Sequence, residues 1–325
     1  MNCIHKIHET LSHLWAYVAE SFFLWWRLMK YNASFRTDTD KEKMQYSILR
    51  ENHVLEKGMS LRNPRRGFGQ SKVTMLLRRI EKYIQKYGTN DTDFLSTPMA
   101  TIGNYVAEMH TQHVAIQSIE ELLKKITESV ENYPEKQSGG VKKIRRSEII
   151  EKAKGNFESL LFSRHSSRIF STQTVASEII EEALRLSQQT PSACNRQAWK
   201  THVFIGSKSQ ELVTWQGGCR GFESEVQCAI LVTSNQKAFL SHEPHQAYVD
   251  GGMYAMNLIN SLHFLGLATI PISCGFSSKK LKGLRKFGIP ENESPIVIIG
   301  VGHHESEYQV AVSQRKKINE TNLYH

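Results

Sequence analysis

Three short runs, WKTHVFIG (Trp199 to Gly206), VQCAILVTS (Val226 to Ser234) and PIVIIGVGH (Pro295 to His303), are dense in β-branched and apolar residues and bounded by turn formers. Runs of that length and composition predict buried strands. Between the second and third lies YVDGGMYAMNLINSLHFLGL, Tyr248 to Leu267, apolar nearly all round and closed by Gly266. It predicts a central helix or a subunit interface. A further helix is predicted within VASEIIEEALRLSQQ, where Ile179, Ile180, Ala183, Leu184 and Leu186 form a stripe and Thr174 or Ser177 would cap the N-terminus.

The first half has a different texture. VTMLLRRIEKYIQKY (Val73 to Tyr87) and VAIQSIEELLKKITESV (Val114 to Val130) space apolar residues three and four apart, the helical period, with no competing strand alternation. The stretch NYPEKQSGGVKKIRR, Asn132 to Arg146, combines Pro134, Gly139, Gly140 and a cationic run, and reads as a boundary or exposed linker. Two regions follow: a mostly helical 1–146 and a mixed 147–325.

At 325 residues, 40% hydrophobic and 22% charged, the chain is of ordinary globular composition. Its net charge of +9 is concentrated early, with 23 Lys/Arg against 17 Asp/Glu in residues 1–150 and 18 against 15 after. That spread over many helical faces suits solubilising charge or an anionic small molecule better than nucleic acid. Five cysteines without a CxxC pair fit a reducing, cytoplasmic setting. LSHLWAYVAESFFLWWRLMKY, Leu11 to Tyr31, is interrupted by Glu20, Arg27 and Lys30 and so does not read as a bilayer span. Its aromatic residues suit docking on protein or peripheral membrane contact.

Four separated pieces carry potential chemistry. RHSSRIF, Arg164 to Phe170, supplies two guanidinium groups, an imidazole and two hydroxyls, donors suited to a phosphate or a polarised carbonyl. TPSACNRQAW, Thr190 to Trp199, is a polar turn before a strand. IPISCGF, Ile270 to Phe276, joins Pro271 to Gly275, a pairing that lets a flat ligand approach backbone N–H groups. SQRKK, Ser313 to Lys317, places Arg315 after a strand. His110 and His113 lack further ligands at metal spacing, so no metal site is expected.

In this order and spacing these four pieces resemble the FMN-dependent nitroreductase superfamily across about 147–325. The resemblance implies an α+β fold in three layers, with a mainly antiparallel central sheet flanked by helices. It also implies a homodimer with FMN at the subunit interface and NAD(P)H as a possible electron donor. Arg164, His165, Ser166, Arg168 and Arg315 would then contact FMN phosphate, ribityl and ring oxygens, while Pro191, Ser192, Ala193 and Asn195 approach from the partner subunit. Pro271, Ile272, Ser273, Cys274 and Gly275 would lie along the isoalloxazine, a backbone N–H near Ser273 or Cys274 meeting N5. Asp250 would support structure. Because the cofactor carries the redox chemistry, no side-chain nucleophile is required.

The segment HVLEKGMSLRNPRRGFG, His53 to Gly69, fails the phosphate-loop spacing but resembles an N-terminal extension of nitroreductase-like proteins associated with bacterial surface-polysaccharide synthesis. Lys57, Arg65 and Arg66, with His242 and His245, are the candidate contacts to an anionic substrate. Between Trp199 and Asp250 the chain is shorter than in longer family members, and Arg220 and Lys237 are conceivable substitutes for lost flavin contacts. Three functions are compatible: an FMN oxidoreductase working by ping-pong hydride transfer, a flavin-binding accessory or docking protein, and a flavin-dependent dehydrogenase or oxidase of a biosynthetic intermediate.

Overall fold

The computed structural model describes residues 11–15, 17–19, 21–22, 25–26, 40–130, 139–239 and 243–325. His242 and residues 132–138 of the linker therefore lie outside the described residues, as do Glu20, Arg27 and Lys30. The chain divides into two compact units, one of Met1–Tyr17 with Lys143–Tyr308, the other of Val18–Lys142 with Gln309–His325.

The second unit is built from α1 (Lys41–Met59), α2 (Gln70–Tyr87), α3 (Thr92–Thr111) and α4 (Gln117–Ser129). Asp40 starts α1 by accepting a hydrogen bond from Lys43 N–H at 3.0 Å, which satisfies one of the donors a helix start leaves open. On α2 the apolar spacing seen in sequence becomes a buried stripe of Val73, Leu76, Leu77, Ile80 and Tyr83. This stripe joins Ile48, Leu55, Leu95, Ile102, Tyr105 and Ile126 in one core. Tyr83 hydroxyl donates to Asp91 at 2.5 Å and accepts from Gln45 at 2.7 Å, while Lys41 pairs with Asp91 at 2.8 Å. The starts of α1 and α3 are thus tied to the end of α2 at a polar rim. The same unit holds the short α11 (Ile318–Thr321).

β1 (Val141–Arg145) pairs with β6 (Glu307–Ala311) in a two-stranded sheet. The division between the units runs through both strands. The end of the cationic linker is therefore a strand, paired with β6 and with Val141 and Ile144 partly shielded. The main sheet contains β2 (Trp199–Ile205), β3 (Cys228–Asn235), β4 (Leu267–Ser273) and β5 (Glu293–His303) in the order β2-β3-β5-β4. All its pairs are antiparallel. Helices α5 (Arg146–Ala153), α6 (Phe157–Ser163), α7 (Ser177–Ser187), α8 (Ser207–Gln216), α9 (Gln246–Phe264) and α10 (Ser278–Lys282) complete it. The expected α+β class with an antiparallel sheet is the fold found.

Three local expectations change. The α7 N-cap is Ala176 rather than Thr174 or Ser177, with no side-chain cap. The central helix stops at Phe264, because Gly266 at φ +84 turns the chain so that Leu267 begins β4. β4 itself is masked in sequence by Pro271, which has no ladder donor; its edge position explains why proline is tolerated there.

Helix α9 packs on the sheet through Tyr254, Leu258, Ile259 and Leu262 in the core formed with Ile230, Val232, Ile299 and Val301. Trp199 stacks on Tyr254 with ring centroids 4.8 Å apart. Gly251 is required by proximity, since a Cβ there would lie 2.6 Å from Ile296 Cγ1. Leu258 is fully buried, so Leu258→Ala should reduce the unfolding free energy of this unit by about 2–5 kcal/mol, measured by urea denaturation.

Candidate functional site

The segment RHSSRIF is laid along the outer edge of β4. Ser167 N–H donates to Thr269 O at 2.9 Å, and Ser166 and Thr269 form a parallel bridge. Ser167 hydroxyl turns inward, donating to Ile169 O at 2.6 Å. Phe170 N–H donates to Glu225 at 2.9 Å and Ser171 N–H to His303 O at 3.0 Å. Phe170 fills the space left by Gly302, where a Cβ would sit 2.7 Å from its ring. Arg164, His165 and Ser166 consequently stay half-buried, whereas Ser167, Arg168, Ile169 and Phe170 are buried. Arg168, expected as an FMN contact, is instead 5% exposed, and its charge is felt at the buried thiol of Cys219.

Two residues beyond Thr269, alternation along β4 and its extension leaves Pro271, Ser273 and Gly275 exposed while Ile272 is buried. These small groups form a low-relief surface beside the cationic turn. Cys274 is held near Ile298, and burial pushes its thiol up to about 12, so it is a protonated packing group at neutral pH. The carbonyl of Ser273 accepts from Gln216 Nε2 at 2.8 Å, and a Cβ on Gly218 would lie 2.6 Å from Ile272 Cγ2. Trp215 meets Phe276 edge to face at 5.3 Å. Lys280 lies over both rings and donates to Gln216 O at 2.6 Å. Sequence reasoning missed this end of α8, although the Gly217-Gly218 pair that closes it was a visible signal.

TPSACNRQAW is anchored on the start of α9. Ala193 N–H donates to both Asp250 carboxylate oxygens at 3.2 and 3.3 Å, and Gln246 donates to the same carboxylate at 2.7 Å. Asp250 is 1% exposed, and these bonds account for its burial. Arg196 forms a two-point pair with Glu243 at 2.7 and 2.8 Å, donates to Ala238 O and covers Phe239. The loop holds Cys194, Asn195 and Gln197 at φ 50, 53 and 46, a left-handed run that costs energy in non-glycine residues. Pro191 and Asn195 are exposed, and Ser192 and Ala193 are half-buried.

Other candidates are dispersed. Arg315 belongs to the helical unit and donates to Ser313 O at 2.5 Å. Arg66 donates to the carbonyls of Gln112 and His113, both at 3.2 Å, and so closes the end of α3. Arg65 is exposed and Lys57 half-buried in the last turn of α1. His245 is exposed at the start of α9, and Arg220 is exposed. His110 pairs with Glu120 at 2.6 Å, and no metal-binding cluster occurs among the described residues. No helix among them is long and apolar enough to cross a membrane. Leu14, Trp15, Phe22 and Trp25 are nevertheless exposed.

Behind the segment, burial and the charge of Arg164 hold His263 down at about 4. Burial, with His263, Arg146 and His303 nearby, holds His304 at about 3. Both lie below the ordinary value of 6.5, so the unfolded chain binds more protons in acid. Stability present above pH 6.5 should fall as pH drops from 6.5 toward 4. Urea midpoints across that range should show it, and His263→Gln should flatten the slope.

The model of the Nitroreductase family matches residues 161–242. An Archaeoglobus fulgidus protein provisionally named an NADH dehydrogenase/NAD(P)H nitroreductase is 26% identical over 153 residues, covering 46% of this chain and 85% of that protein. A nitroreductase family protein from Streptococcus pneumoniae matches in structure with a TM-score of 0.45 and 20% identity, over 52% of this chain and 100% of that one. A provisionally named nitroreductase from Exiguobacterium sibiricum, solved in complex with FMN, matches with a TM-score of 0.45 and 15% identity, over 53% and 98%. The family-model match thus falls on residues of the α/β region, from the end of α6 to the start of the segment before α9.

Proposed function

We propose that the α/β unit is an FMN-dependent oxidoreductase in which NAD(P)H or another donor and an organic acceptor react in turn. The observation that carries this reading is the pairing of Ser166 and Ser167 with Thr269, which fixes a cation-bearing turn beside the Pro271, Ser273 and Gly275 surface. These residues fit FMN in kind. Arg164 and His165 suit its phosphate, Ser166 its ribityl hydroxyls, and the exposed end of β4 a flat ring; Thr269 Oγ1 is a buried hydroxyl there without a hydrogen-bond partner. When bound, FMN supplies hydride acceptance and donation at one ring position. Arg164 and backbone N–H groups near Ser273 and Cys274 would hold and orient it, and Ile272 and Trp215 would exclude water. No side chain need become a nucleophile.

The unit works as a homodimer in this reading. On α9, Val249, Met253, Met256 and Phe264 are 42–51% exposed and recur at three, four and eight residues, a single apolar stripe. Phe157 and Phe162 of α6 are 72% and 77% exposed. A partner laid on these surfaces would bring its Pro191–Asn195 loop to the flavin. The exposed His245 would attract an anionic acceptor on the α/β unit, and the exposed Arg65 with Lys57 offers cations on the helical unit. The resemblance of the N-terminal segment supports a place in polysaccharide synthesis, and the exposed aromatic residues of 11–26 support peripheral membrane contact from a cytoplasmic location.

Gently purified protein should show flavin bands in its visible absorption spectrum that bleach with NAD(P)H and return with an acceptor. Bound FMN that no donor reduces would favour the accessory-protein reading. Arg164→Ala should weaken FMN binding roughly ten- to hundredfold, the loss expected for one charge-assisted contact. Met253→Glu should convert dimer to monomer in sedimentation and lower FMN content together.

A further inference from the structure

The Arg164–Ser166 turn is gripped at both ends by a buried polar chain that no part of the proposed redox chemistry uses. At its start, Ser163 Oγ lies 2.8 Å from His263 Nε2. At its end, the buried Ser167 bonds to Tyr308, whose hydroxyl lies 2.5 Å from His304 Nδ1. The two imidazoles face each other edge to face, with centroids 6.2 Å apart. His263 comes from α9, His304 follows β5 and Tyr308 lies in β6, so three elements converge under one short turn. Ser163 is 4% exposed, Ser167 0%, His263 2%, His304 3% and Tyr308 6%.

Such burial is costly unless the groups bond one another, and each bond removes freedom from the turn above. Ser163 also donates to Leu160 O at 3.2 Å, which fixes the last turn of α6 immediately before Arg164. A neutral imidazole suits this place because it bonds Ser163 without adding a cation beside the Arg164 guanidinium. A protonated one would compete with Arg164 for an anion and repel it.

We propose that His263, acting through Ser163, is a positioning residue that presets the Arg164–Ser166 turn for the FMN phosphate. The proposal rests on the flavin reading above. It differs in assigning affinity to a side chain that touches no cofactor. Losing the bond frees the turn, so ordering it again is charged to binding rather than to folding.

The test is FMN titration of apo-protein by fluorescence quenching at pH 7.5, with thermal unfolding of the same samples. His263→Leu removes the bond and should raise the FMN dissociation constant about tenfold, as expected for one hydrogen bond. His263→Gln places an amide near the Nε2 position and should stay within about twofold of the parent. If His263→Leu does not fold, Ser163→Ala provides the second route and should weaken FMN in the same direction. Unchanged affinity in folded His263→Leu or Ser163→Ala, whatever their melting temperatures, would overturn the proposal. Failure of the parent protein to bind FMN would instead overturn the flavin reading.

Discussion

One backbone hydrogen bond, from Ser167 N–H to Thr269 O, organises the region around the proposed site. A sheet edge offers unpaired carbonyls, and this one is used to seat a turn rather than another full strand. Seating it there separates the turn into two populations. Arg164, His165 and Ser166 remain accessible, while Ser167, Arg168, Ile169 and Phe170 enter the interior and hold it. Proline two residues later causes no lost ladder bond because β4 is the edge strand. The same feature that stops the sheet from growing therefore leaves Pro271, Ser273 and Gly275 open.

Helix α9 supplies the second constraint. Its inner side is fixed by Tyr254, Leu258 and Leu262, and its first turns receive the TPSACNRQAW loop through Asp250. The strained φ values of that loop persist because Asp250 and the Arg196–Glu243 pair define its path. The outer side keeps Val249, Met253, Met256 and Phe264 exposed, which is why the dimer belongs to the functional proposal and not only to packing.

Much of this was legible in sequence where the signal is local. The runs at Trp199, Val226 and Pro295 became β2, β3 and β5 with shifts of a few residues, and α2 and α4 follow their apolar spacing. β4 was hidden because Pro271 and Gly275 look like punctuation until its edge position is known. Roles that depend on distant partners were not legible. Nothing near Gln216 indicates that its amide holds Ser273, and nothing in NPRRGFG indicates that Arg66 closes α3 through Gln112 and His113. RHSSRIF reads as one donor-rich turn, yet its second arginine is buried while its first stays half-exposed. The buried pair His263 and His304 is separated by some forty residues, and only the fold brings the rings together.

In the proposed function the seated turn recognises a phosphate attached to a flat redox ring. Titrating apo-protein with FMN and with riboflavin tests it most directly, since the two differ only by that phosphate. FMN should bind at least about tenfold tighter, with the difference shrinking as salt rises, as charge-assisted contacts require. Equal affinity for the two flavins, or binding of neither, would contradict it.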